Sequence, residues 1–311
     1  MLPLETTLIR RLADAAELAV NETLEQDGPR SPRPTGEVSA VRKLVLDGFD
    51  AIAHSWEPLL RRLSLRIELS ATFTHSRPHV TFTPGRYTSG TGRCELADLL
   101  IVIDHQDHGG VIQDRRAALV QAKRVKKGEI KLSGADWTQH ELLLDLPAFS
   151  FVDPAYALGL RDLKTAPQVG DPDFTAEYGG VEVDGTPRHW TLWMPAPPAN
   201  LAAPLNFGTW LARMAAGLPM TGRMAEPDGS DDWSATVEEL LKVTGALPIV
   251  MSDDAVLRKN PNVIGRIVDR ASYLSVPLGL SAGGGPRKPE MEDYWPEGPI
   301  STVHVTFRQL G

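Results

Sequence analysis

Residues 95–124 read ELADLLIVIDHQDHGGVIQDRRAALVQAKR. Two apolar runs are separated by a polar segment with paired glycines, the composition of a β-hairpin whose strands, over 96–103 and 117–123, are buried on both faces. Burial accounts for the apolar letters. It does not account for Asp98 at the head of the first run, or for Gln121 and Lys123 at the end of the second. Alternate residues of a strand share a face, so Gln121 and Lys123 point one way and Ala122 the other. The 22 residues between Asp98 and Gln121 leave room for both strands and a turn. If the strands pair, a carboxylate, an amide oxygen and an ammonium converge at one end of a sheet. The Ala122 carbonyl can join them, because hard divalent cations accept oxygen from all three sources.

Working outward, residues 4–24 carry Leu8, Leu12, Ala15, Ala16 and Ala19 on one helical stripe. DGPRSPRPTGE then breaks the helix, and apolar residues at helical spacing predict a second helical stretch from Val38 to about Leu65. RIELSATFTH is read as partly helical before His75, with a strand near His79 to Phe82. A helix over 138–146, capped by Ser133 or Asp136 and stopped at Pro147, follows the hairpin. FSFVD and HWTLWM read as strands, 206–217 and 233–245 as helices, and STVHVTF as a last strand after a long irregular connection. The fold class expected is α/β (α+β), with a nuclease-like core over 1–165 that includes the N-terminal helices and a C-terminal α/β extension over 166–311, either a separate unit or part of the same domain.

The acid-led strand followed by Gln-x-Lys resembles the PD-(D/E)xK nuclease superfamily, in its variant with Gln in place of the second acid. The resemblance covers about 38–151 and implies a helix-flanked mixed β-sheet of restriction-endonuclease-like type. It further implies a nuclease that hydrolyses phosphodiester bonds, DNA in preference to RNA, in defence or repair. Mg²⁺ (or Mn²⁺) would be held by Asp98, Gln121 and the Ala122 carbonyl, with Lys123 stabilising the attacking hydroxide. Gln139 resembles the downstream Gln of RecB-like members, although Leu143 stands where those often have Tyr. With Gln121 replacing an acid the site is one negative charge short. Glu95 could restore it if the chain bends between 95 and 98, and Glu57 on the preceding helix is the other candidate. The alternative is a protein that keeps the fold without the chemistry, as a nucleic-acid-binding or assembly subunit.

Composition sets limits around this reading. The formal net charge of -8 argues against nonspecific nucleic-acid binding by the bulk of the chain. Between Asp114 and Lys131, however, seven cationic residues face two acids. Arg115, Arg116, Arg124, Lys126 and Lys127 of that run are the candidate phosphate contacts. Cys94 is the single cysteine, which excludes an internal disulfide and any cysteine-based zinc site. No apolar stretch is long enough to span a membrane, and a cytoplasmic protein, with a homo-oligomer or an activating partner, is expected. Asp104, His105, Asp107 and His108 in DHQDHGG are read as a solvated hairpin tip rather than a metal-hydrolase centre. Pro78 between His75 and His79 argues against two ligands on one helical face; both are read as flanking a turn, with one of them near the active site as the alternative. Trp190, Trp193 and Trp210 are read as core in preference to base-stacking platforms.

Overall fold

A computed structural model of the chain describes residues 4–165, 169–195, 204–275 and 298–311. Helix α1 (Thr6–Glu25) precedes α2 (Glu37–Lys43), a π-turn at Leu44–Gly48 and α3 (Phe49–Leu60). The strands and helices that follow are β1 (Leu65–Phe73), β2 (His79–Phe82), β3 (Gly92–Glu95), β4 (Leu99–Gln106), β5 (Ile112–Lys126), β6 (Glu129–Ile130), α4 (Asp136–Asp145), β7 (Phe149–Phe151), β8 (Ala176–Glu182) and β9 (His189–Trp193). The rest are β10 (Leu205–Asn206), α5 (Phe207–Ala215), β11 (Arg223–Met224), α6 (Asp232–Gly245), β12 (Val250–Met251), α7 (Asp254–Lys259), β13 (Ile264–Val268), β14 (Ala271–Ser275) and β15 (Ser301–Gln309).

One large mixed sheet runs β10-β9-β8-β5-β4-β15-β1-β13-β14-β12, and β3-β2-β7 form a second, small sheet. β4 pairs antiparallel with β5 and parallel with β15, while β5 pairs parallel with β8. The central strands are buried on both faces, which is why they read as unbroken apolar runs. Leu99, Ile101, Ile103, Val120 and Ala122 pack with α1, α3 and α5. Leu100, Val102 and Leu119 face the other way, into a core with α4, α6 and the small sheet.

Two expectations change, and one choice left open is narrowed. Residues 65–73 form a strand with no helical part, because Leu65, Ile67, Leu69, Ala71 and Phe73 alternate with polar residues and all five face the α1–α3 layer. For residues 166–311, the topology favours the alternative that they belong to the same domain as 1–165. β15 lies between β4 and β1, and β8 and β9 extend the sheet beyond β5, so the sheet is incomplete without residues after 166. The hairpin tip is also shorter than expected. Asp104 and His105 belong to β4, Asp104 is fully buried, and only the residues around Asp107 make the turn. The long connection expected before the last strand lies mostly outside the described residues. No helix among them is long and apolar enough to cross a membrane.

Glu177 on β8 is a buried carboxylate in the core, where it accepts a hydrogen bond from Trp210 Nε1 at 3.4 Å. Burial pushes its pKa from the ordinary 4.5 up to about 8. Between those two values the folded protein keeps a proton that the unfolded chain has lost, so stability falls as pH rises through the window and levels off above it. Glu177→Gln should remove this slope and gain roughly 4 kcal/mol over wild type at pH 9 relative to pH 4. Denaturant unfolding across that range tests it, and parallel profiles for the two proteins would contradict it.

Candidate functional site

The β4–β5 register sets Leu99 opposite Val120, so the next residues out, Asp98 and Gln121, meet at the strand ends. Asp98 Oδ2 accepts hydrogen bonds from Gln121 Nε2 at 2.5 Å and from the Ala122 N–H at 2.8 Å. Gln121 Oε1 in turn accepts from Gln139 Nε2, which also donates to the Glu95 carbonyl at 3.1 Å. Helix α4 thus presents Gln139 to Gln121 and, one turn earlier, Asp136 to Lys123, whose Nζ lies 2.6 Å from Asp136 Oδ1. Two side chains three apart on a helix meet two that are two apart on a strand face, which sets the aim of both motif residues.

The helix is itself held in place. The Glu141 carboxylate, on the far side of α4, accepts the backbone N–H groups of Gly85, Arg86, Tyr87 and Thr88. The Tyr87 and Trp137 rings pack 5.3 Å apart above it, and His140 stacks on Tyr178 on β8. Backbone amides aimed at one carboxylate keep Glu141 ionised, with its pKa below the usual range despite burial.

Glu95 does come round to Asp98, because the chain turns between them. β3 ends at Glu95 in the small sheet, and β4 begins at Leu99 in the large one. His75, on the link from β1 to β2, arrives at the same point. Ligand atoms of His75, Glu95 and Asp98 all lie within 4.8 Å of one another. Burial raises the pKa of both carboxylates. For Glu95 the Asp98 charge adds to it, and for Asp98 the Lys123 charge and the Ala122 N–H work against it. Two half-buried carboxylates that resist ionising together are what a divalent cation would relieve.

Burial alone would lower the Lys123 pKa, but Asp136, Glu37 and Asp98 outweigh it and hold it above the ordinary lysine value. Lys123 is therefore an ammonium, not a base. Glu37, the first residue of α2, accepts the Arg124 N–H at 2.7 Å and adds negative charge near both Asp98 and Lys123. Sequence reasoning passed it over, since nothing in the spacing of α2 links it to a strand more than eighty residues later. A cleft of about 700 Å³ opens beside Lys123, lined among others by Glu37, Arg124, Lys126, Lys131 and Asp136.

Several expected roles need correction. Gln121 turns its amide nitrogen, not its oxygen, toward Asp98, so it clasps the acid instead of offering a ligand atom beside it. Glu57 is bonded to Arg61 and Arg270 on the surface and takes no part. Arg115 is a buried structural residue, pairing through Nε and Nη2 with Asp104 at 2.6 and 2.7 Å and also bonded to Glu238. Arg116 lies beside Asp114 and the Gly222 carbonyl. Both sit roughly 25 Å along β5 from Lys123, too far to line the same cleft. Arg124 lines the cleft while pairing with Asp184. Lys127 occupies the β5–β6 turn at φ 55° next to the cleft-lining Lys126. Trp190 and Trp210 are core residues, as expected, and Trp193 is half-buried against the other core, which holds α4 and α6.

No protein-family model matches the chain, and no curated protein or solved structure matches it.

Proposed function

We propose that the chain is a divalent-cation-dependent nuclease that hydrolyses phosphodiester bonds, in DNA more than in RNA, on a sheet of restriction-endonuclease-like type. The observation that carries the reading is the meeting of Asp98, Glu95 and His75 with the Gln121–Lys123 strand end, next to a cleft with four cationic side chains. The donor set fits the metal. Glu95, Asp98 and the Ala122 carbonyl would hold Mg²⁺ or Mn²⁺ through hard oxygens, and the His75 imidazole tilts the preference toward Mn²⁺. Bound there, the cation supplies Lewis acidity toward a phosphate oxygen and an acidified water.

The chain's own groups do the rest. Lys123 brings a fixed positive charge to the reacting phosphate, balancing the negative charge that grows in the transition state and orienting the attacking water. Asp136 keeps that ammonium aimed, and Gln139 fixes Asp98 through Gln121. Arg124 and Lys126 hold a neighbouring phosphate in the cleft. A second reading has its own support. Gln121 and Lys123 are already satisfied by Asp98 and Asp136, which suits a nucleic-acid-binding subunit with no chemistry.

Metal binding is the first test. Mn²⁺ at a hundred times its Kd should stabilise the wild type by about 2.7 kcal/mol. Asp98→Asn should lose that gain. Differential scanning calorimetry with and without Mn²⁺ or Mg²⁺ reads it, alongside cleavage of linear, circular and single-stranded DNA and of RNA. Equal metal shifts in wild type and Asp98→Asn would remove the metal site and the nuclease reading with it.

A further inference from the structure

We propose that the small pocket formed by Ser76, Arg77, His79 and Arg93 binds a second phosphate group of the substrate, one nucleotide away from the phosphate engaged at Asp98 and Lys123. The proposal rests on the nuclease reading above and adds to it a site whose lining shares no residue with the cleft. The pocket measures about 220 Å³, and its wall is completed by Val152, Asp153 and Pro154.

The placement follows from the register of the small sheet. β2 and β3 pair antiparallel with His79 opposite Glu95 and Thr81 opposite Arg93. Paired residues of a sheet share a face, as do alternate residues of one strand, so Arg93, Glu95 and His79 project together. Val80 and Phe82 turn the other way into the core. Two residues along β3 separate Arg93 from Glu95, roughly 7 Å, the reach of a single nucleotide step. The rim of the pocket is also tied to the candidate metal centre, because the Ser76 N–H donates to the Glu95 carboxylate. A phosphate held here would therefore neighbour one held at Asp98.

The chemistry of the lining selects phosphate. Among the described residues, two guanidinium groups and an imidazole line the pocket together with one carboxylate, Asp153, which pairs with Arg77 at 2.9 Å. Guanidinium pairs suit the bidentate geometry of phosphate oxygens. Among the described residues, the lining has no Phe, Tyr or Trp on which a base could stack, which suits grip on the backbone over reading of sequence. The same lining would accept an internal phosphodiester or a terminal phosphate monoester, and the experiment separates them.

The test measures binding by fluorescence anisotropy, over a salt series in EDTA so that nothing is cleaved. The probes are single-stranded DNA oligonucleotides carrying a 5′-phosphate, a 3′-phosphate or neither. Wild type is compared with Arg93→Ala, Arg93→Lys and the cleft variant Lys126→Ala. Arg93 is exposed on its strand, and an unchanged melting temperature confirms that its variants fold. Arg93→Ala should weaken binding about tenfold. It should also reduce the slope of log K against log salt by about one, while Arg93→Lys keeps the slope. An effect confined to one phosphorylated end identifies a terminal monoester, and an equal effect on all three probes identifies an internal phosphodiester. Unchanged affinity and slope in Arg93→Ala, with Lys126→Ala impaired, overturns the pocket and leaves the nuclease reading standing. A wild type that binds none of the oligonucleotides overturns both.

Discussion

Lys123→Ala is expected to abolish metal-dependent DNA cleavage, with a loss of about a thousandfold or more, while the protein remains folded. The magnitude follows from removing a fixed charge aimed at the developing negative charge of the transition state, in a site partly screened from water. Lys123 is half-buried and its ammonium is held by Asp136. Deleting it leaves Asp136 without its cation, a cost eased by solvent contact and by the Ser133 N–H that Asp136 also accepts. Unfolding should therefore shift only modestly. Asp136→Asn gives the graded control: the charge of Lys123 stays but its aim loosens, so cleavage should fall less than in Lys123→Ala. Equal cleavage by wild type and Lys123→Ala would end the nuclease reading. Binding by both without cleavage by either would favour the subunit reading.

The second large effect is on stability. Arg115→Ala should destabilise the fold by about 3–5 kcal/mol, because it strands the fully buried Asp104. Asp104 would be left with His304, 2.8 Å away, as its remaining ionisable partner. The guanidinium also reaches Glu238 on α6, so the substitution cuts a tie between the central hairpin and that helix. In a chain of this size the loss should lower the melting temperature by about 5–8 °C. Affinity of the folded variant for DNA should stay at the wild-type level, in contrast to Lys126→Ala. A stable Arg115→Ala protein with impaired DNA binding would return Arg115 to the nucleic-acid interface.

Arg115 also marks where reading the chain in one dimension reaches its limit. Arg115, Arg116, Arg124 and Lys126 look alike as letters in a basic run. On β5 they are spread along a strand, and one end of it lies under α6 and β11 while the other opens on the cleft. The histidines show the same limit from the other side. The cluster in DHQDHGG draws attention but gives β4 a buried Asp104 and a turn. His75, set beside a proline and read as flanking a turn, reaches Glu95 and Asp98.

What the sequence determined by itself is local and periodic. Alternation and apolar runs placed the β4–β5 hairpin, its antiparallel pairing follows from a short polar turn, and that pairing alone sets Asp98 against Gln121 with Lys123 on the same face. The helix bearing Gln139 was legible from its polar start near Ser133 and Asp136 and its stop at Pro147. Only the tertiary structure decided what meets those residues from elsewhere. Docking of α4 converts Gln121 from a presumed ligand into a clasp on Asp98, and the turn between two sheets swings Glu95 inward. The small sheet places Arg93 beside Glu95, α2 supplies Glu37, and β15 enters the middle of the sheet from the far end of the chain. The physical reason is that strand and helix periods act over a few residues, whereas the partners of a buried charge are chosen by packing between segments distant in sequence, which no local pattern records.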